Sequence, residues 1–189
     1  MTPLDRVRQL ELVAEANRAP SVHNLQPARW RFTAGNEVIL FEDTRRRLTI
    51  GDPTGRDSRI SLGAAFEGLH LALSKKGLGL QDPQILDASA RHPSDPPHLA
   101  RVAQTVLGPV ADVDPLFAVV YRRHTFRRPF ERADHMTTLH LRRLCSALPD
   151  IVPVFGGADI QDLAGLNDRC TYEFLDQPDY LRELYHWMR

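Results

Sequence analysis

The sequence predicts an α+β fold, and three observations carry that reading. Apolar residues recur at helical spacing in several separate segments, and β-favouring runs bracketed by turn residues lie between them. Helical and extended segments also follow one another without the regular strand–helix–strand beat of a doubly wound sheet. The chain of 189 residues is long enough for a single domain with a core of its own, so one domain over residues 1–189 is the expectation.

Each element follows from local chemistry. "LDRVRQLELVAEANR" places Leu4, Val7, Leu10, Val13 and Ala14 near the helical period, which predicts a first helix ending before Pro20 with that set as its apolar face. "RWRFTAGNEVILFED" holds two β-favouring runs around Ala34-Gly35-Asn36, the turn chemistry of an antiparallel hairpin. "LTIGDPTGRDSR" is an irregular loop, rich in Gly, Pro and Asp. A helix starting near Ser58 or Ser61 then carries Leu62, Ala65, Phe66, Leu69, Ala72 and Leu73 on one face and stops at Gly77. Its Gly63, Ala64 and Ala65 would permit close approach by a flat group or another backbone.

A weak strand at "QILDAS", a surface link "HPSDPPH" and a strand "ARVAQTVLG" come next. A short helix from Asp114 runs into a basic turn, "HMTTLHLRRLCSAL" is amphipathic, and "IVPVFGG" reads as a strand. "ADIQDLAGLNDRCTYEFL" is helical, and Pro178 opens a last helix.

Charge and composition exclude several classes of function. Lys+Arg 24 balances Asp+Glu 24, so nothing in the net charge steers the chain toward nucleic acid or an anionic membrane. Cys145 and Cys170 lie far apart in helical segments, without a Cys-x-x-Cys spacing, and are expected to be reduced. The N-terminus carries no signal-peptide pattern, and the longest apolar run, "LFAVVY", is too short to span a bilayer, so a cytoplasmic protein is expected. Phosphate-loop, dinucleotide and nucleophile-elbow motifs are absent. His135 and His140 would fall on different faces of a helix, so no metal site is expected.

Two segments remain. In "RRHTFRRPF", Arg123, Thr125 and Arg127 fall two apart, so an extended backbone would project two guanidinium forks and a hydroxyl from one side, a fit for a phosphate monoester. The alternative is a solvated basic turn after a helix. In "RAPSVHNLQPARWRF", Pro20, Ser21, His23, Asn24 and Gln26 gather a hydroxyl, an imidazole and two amides on one short bend, although such residues also close ordinary turns.

Together the two segments resemble the nitroreductase family of flavin proteins. Members carry R-x-[ST]-x-R for the flavin phosphate, seen here as Arg123-His124-Thr125-Phe126-Arg127. They also carry P-S-x-x-N-x-Q-P-W at the isoalloxazine, seen here as Pro20-Ser21-Val22-His23-Asn24-Leu25-Gln26-Pro27. "ISLGAAFEGLHLALSKKGLG" is similar to the family's small-residue-rich helix. Ala28 stands where the family usually has Trp, with Trp30 close by. The order of the two elements is reversed relative to ordinary members. That order, with His before Asn, is similar to the divergent Acg-like branch, in which one longer chain carries two related halves. On that basis residues 1–112 would correspond to a first half and 113–189 to the start of a second half, which the resemblance implies is truncated.

The resemblance implies an α+β nitroreductase-like scaffold, a mixed and mainly antiparallel sheet flanked by helices, with FMN between two halves or two chains. Arg123, Arg127 and Thr125 would take the phosphate, Ser21 the ribityl or phosphate end, and Asn24 with Gln26 the polar edges of the ring; Pro20 belongs to the same element. His23 is the candidate donor at the flavin N1/O2 edge and the one candidate catalytic residue. NAD(P)H would be the transient reductant, a nitroaromatic, quinone or similar small molecule the acceptor, and a homodimer or intramolecular pseudo-dimer the assembly. The alternative is a protein of the Acg type that sequesters flavin without turnover, and a third reading is an α+β remnant that binds none.

Overall fold

Asp5 starts the first helix, because its carboxylate accepts the Arg8 backbone N–H at 2.8 Å and satisfies one of the donors a helix start leaves open. In this computed structural model residues 3–87, 92–126, 128–129, 131–148 and 150–187 are described. They divide into two compact units, Met1–Thr125 with Arg182–Arg189, and Phe126–Leu181.

The first unit holds α1 (Arg6–Ala16), the hairpin strands β1 (Ala28–Phe32) and β2 (Glu37–Asp43), α2 (Arg56–Ser74), β3 (Leu78–Ile85) and β4 (Leu99–Pro109). The strands form one sheet in the order β1-β2-β4-β3, antiparallel at every pairing among the described residues, within the mainly antiparallel sheet expected. The hairpin turns where expected, with Asn36 in the left-handed region at φ 62° and Phe32 opposite Val38. α2 starts at Arg56, earlier than the serines suggest, because Gly55 takes the left-handed conformation at φ 68° and turns the loop into the helix.

Alternation along β2 sends Val38 and Leu40 toward α2 and α1. There they join Leu12, Ala16, Leu62, Ala65, Leu69, Ala72 and Leu73 in the core. On the other face Phe41 lies under the guanidinium of Arg31, 4.9 Å from its ring centroid, while Asp95 bridges Arg31 and Arg101 at 2.6 Å each. The middle strand is therefore buried on both faces although one face carries charge.

The structure corrects three expectations. The apolar face expected for α1 is largely outward: Val7 is 67% and Leu10 53% exposed, while Leu12 and Ala16 are fully buried. Gly68 decides this, since a Cβ there would stand 3.2 Å from the Cα and carbonyl oxygen of Ala16, so α1 and α2 cross at those two residues. The approach of another backbone falls at Gly68, whereas Gly63 faces open space, with nothing within 4 Å of a Cβ there. The third strand begins at Leu78, and Asp82 at φ 45° with Pro83 interrupts its register on β4. Pro and Gly mask such an edge strand in the sequence, and Ala88 and Ser89 of the expected strand lie outside the described residues. "IVPVFGG" forms no strand, and Ile151, Val152 and Val154 stand exposed without a ladder partner among the described residues.

After β4 the chain passes Asp114, whose carboxylate accepts the Leu116 N–H, and forms a 3-10 segment over Pro115–Arg122. The second unit contains α3 (His135–Ser146), α4 (Gly157–Leu175) and the start of α5 (Pro178–Trp187). None of its described residues is buried. The last turns of α5 belong to the first unit, where Glu183 places its carboxylate on the N–H groups of Thr49, Ile50 and Gly51 and on the Thr49 hydroxyl. No helix among the described residues is long and apolar enough to cross a membrane.

Candidate functional site

The bend after α1 is built from strained backbone. His23, Asn24 and Gln26 take φ values of 45°, 57° and 47°, the left-handed region that costs a non-glycine residue about 1–2 kcal/mol each. Such strain persists where many contacts fix the same conformation, and they are present. Ser21 Oγ accepts the Gln26 N–H at 2.9 Å, and Val22 N–H donates to Ser61 Oγ on α2 at 3.1 Å. Gln26 Nε2 donates to the Asn17 carbonyl at 2.9 Å, tying the bend to the end of α1. Leu25, 2% exposed, is the apolar anchor. The hollow behind the bend, walled by Ala16, Ser21, Gln26, Ser61 and Ala65, holds about 10 Å³, so the bend is packed against its support.

That packing separates the bend's residues into two groups. Ser21 and Gln26 already close the bend from inside, and Gln26 spends its amide nitrogen on the chain itself. Pro20, His23 and Asn24 are exposed, so the corner presents an imidazole and an amide outward.

Arg123 meets this bend. It leaves the 3-10 segment in extended backbone, and its Nη2 donates to the carbonyl of Arg18 at 3.3 Å. Two further contacts hold the same strip: Tyr121 donates its hydroxyl to Glu15, and the Arg18 guanidinium lies 4.3 Å from the Tyr121 ring centroid. The Glu15 carboxylate beside it pushes the Tyr121 phenol above its ordinary range. Thr125 is exposed two residues on, and Arg127 lies outside the described residues. A cleft of about 370 Å³ opens beside this strip, lined by Glu11, Glu15, Lys75, Phe117 and Tyr121 among others.

Behind the bend lies a charged cluster that carries no sequence motif. Asp43 and Glu42, nearly fully buried at the end of β2, face Arg29, Arg45, Arg46 and Arg47. The paired N–H groups of Arg45 hold the Asp43 carboxyl down at about 2, against a smaller opposing effect of burial. Burial pushes Glu42 up, and the hydrogen bonds from Arg47 and Ser58 together outweigh it and leave it lowered. The one trace of this cluster in the sequence is "EDTRRR", two acids followed by three arginines where a strand ends. Among the described residues no group of three or more His, Cys, Asp or Glu is placed to hold a metal ion.

Comparison with known proteins adds the following. No family model matches the chain. It is 37% identical over 116 residues to "Putative NAD(P)H nitroreductase Rv3131" of Mycobacterium tuberculosis (strain ATCC 25618 / H37Rv), an alignment covering 61% of this chain and 32% of that protein. It is 28% identical over 175 residues to "Putative NAD(P)H nitroreductase acg" of the same strain, covering 91% of this chain and 51% of that protein. The chain thus spans about a third to a half of the length of these relatives. Among solved structures, the nitroreductase family protein of Streptococcus pneumoniae TIGR4 aligns at a TM-score of 0.47 and 14% identity, over 70% of this chain and 92% of that one. By sequence, then, this α+β chain is a relative of the proteins named as NAD(P)H nitroreductases, and of the acg protein over nine-tenths of its own residues.

Proposed function

We propose that this chain supplies the FMN-binding part of an oxidoreductase of nitroreductase type, taking electrons from NAD(P)H and passing them to a nitroaromatic, a quinone or a similar small acceptor. The observation that carries this reading is the seating of Arg123 against Arg18, which sets a guanidinium at the foot of a bend that turns His23 and Asn24 outward. An anionic tail and a polar ring edge need this donor set: a cationic fork at one end, neutral and titratable donors at the other. The residues present therefore fit FMN, which when bound would supply the two-electron chemistry itself.

This chain's own residues would then bind and orient. Arg123, with Thr125 and Arg127 of the same segment, would neutralise the phosphate. Asn24 would meet the ring edge, and His23 would hold a proton near it. Ser21 and Gln26 would act mainly by fixing the corner, in keeping with their inward hydrogen bonds. The outward apolar stripe of α1, with Val7 and Leu10, would pair with a second copy or a second half of a longer chain.

The test is an absorption spectrum of the purified chain supplemented with FMN, followed by anaerobic NADH or NADPH. A flavin band that bleaches within seconds supports the reductase. A flavin band that persists points instead to a protein that holds FMN without turnover, and a chain that takes up no FMN overturns both.

A further inference from the structure

Asp43 is joined to the bend through more paths than its place at a strand end requires. Its carboxylate receives Arg45 through Nε and Nη2 at 2.9 Å each and Arg29 Nη2 at 3.1 Å, with Arg46 Nε at 3.9 Å. Two of these three arginines continue outward. Arg29 Nη1 donates to the carbonyls of Gln26 and Ala28 at 3.0 and 2.8 Å, and Arg46 Nη1 donates to the carbonyl of Leu25 at 2.7 Å. Asp43 adds its own N–H, which donates to the Pro27 carbonyl at 2.8 Å. The carbonyls of residues 25 to 28 therefore all end on Asp43 or on a guanidinium that Asp43 holds.

Those four carbonyls follow directly on His23 and Asn24, and the run includes left-handed Gln26. A strained turn keeps its shape only where its polar groups are held from outside, and here the holding groups share one carboxylate. Three guanidiniums around a single carboxylate would repel one another without its charge, so removing that charge would free Arg29 and Arg46 to turn to solvent. Arg45 differs from the other two, since it pairs with Asp43 and makes no hydrogen bond to the bend among the described residues.

We propose that Asp43 is a positioning residue for the outward corner of His23 and Asn24, acting through Arg46 and Arg29 on the bend's carbonyls. Its consequence for flavin rests on the function proposed above, whereas its consequence for the bend does not.

The experiment compares Asp43→Asn, Arg46→Ala and Arg45→Ala in the full chain, reading amide hydrogen exchange residue by residue and FMN affinity. Asp43→Asn and Arg46→Ala are expected to speed exchange at Leu25 and Gln26 about tenfold or more, with the β2–β4 ladder at Leu40 and Ala103 unchanged. FMN affinity should fall about tenfold in both, and Arg45→Ala should leave both readings within about twofold of the parent. A purely structural role for Asp43 would raise exchange in bend and ladder alike, and that result overturns the proposal. If Asp43→Asn fails to fold, the arginine pair decides: Arg45→Ala loosening the bend as much as Arg46→Ala overturns it. A parent chain that takes up no FMN defeats the proposed function alone, because the exchange pattern still tests the positioning.

Discussion

The guanidinium of Arg123 and the carbonyl of Arg18 lie 3.3 Å apart although 105 positions separate them in the chain. Arg18 ends the run that leads from α1 into the strained bend, so this contact moors the start of the basic segment beside the corner that carries His23 and Asn24. Tyr121 strengthens the mooring from two residues earlier through Glu15 and Arg18.

Replacing Arg123 and Arg127 together by alanine should weaken FMN binding by at least about a hundredfold, since each charge-assisted contact to phosphate contributes roughly 1.5–3 kcal/mol and every 1.4 kcal/mol is about tenfold. Arg122→Ala should change it less than about threefold. Equal retention by all variants, read by fluorescence titration of flavin, would reduce the basic segment to a solvated turn. The melting temperature should hardly move for Arg122→Ala or for Arg123→Ala alone, because both of those side chains are exposed.

Two glycines of α2 should respond in opposite directions to alanine. Gly68→Ala puts a methyl 3.2 Å from the backbone of Ala16 and should cost about 1–3 kcal/mol, by forcing the helices apart. Gly63→Ala meets nothing within 4 Å and should stabilise the chain by about 0.5–1 kcal/mol through helix propensity. Urea unfolding of the two single variants checks both signs.

Asp43 predicts an acid limb of stability. Its carboxyl titrates at about 2 in the folded chain, against about 3.9 when unfolded. The unfolded state therefore binds the proton more readily, and the stabilisation, on the order of 2 kcal/mol, is fully present above about pH 4 and disappears as pH falls toward 2. Unfolding free energies measured between pH 5 and 2 should slope steeply for the parent and less for Asp43→Asn.

Glu183 offers a second, local titration. Burial raises its carboxyl, yet the N–H groups of Gly51, Ile50 and Thr49 together hold it below the ordinary glutamate range. Its grip on the 49–51 loop is then complete above the ordinary range and fails only as pH drops through the lowered value. Glu183→Ala should speed amide exchange at Ile50 and Gly51 about tenfold at neutral pH while leaving β2 protected. Unchanged exchange at those two amides would show the contact to be idle.

Much of this architecture can be read from residue order alone, and the parts that cannot share a cause. The hairpin is legible because Ala34-Gly35-Asn36 supplies the turn locally, and α2 because its buried set repeats at the helical period. The face of α1 is not, because two apolar stripes compete and only the crossing at Gly68 chooses between them. β3 hides for a similar reason, since its pairing with β4 overrides a Gly- and Pro-containing stretch. In the candidate site, the bend announces itself by composition, and Arg123 by its spacing to Thr125. Asp43, Arg29, Arg46 and Ser61 escape notice because their roles depend on distances that only folding creates.

Pro83, beside left-handed Asp82, has an effect that reaches past the residues it distorts. A newcomer strand laid along the outer flank of β3 would find no amide hydrogen at Pro83 and a kink one residue before it, so continuous cross-β growth from that flank stalls at its midpoint. A neighbour engaging that flank is thereby limited to short ladder stretches on either side of the kink, and a fibril seeded there would be interrupted in every copy.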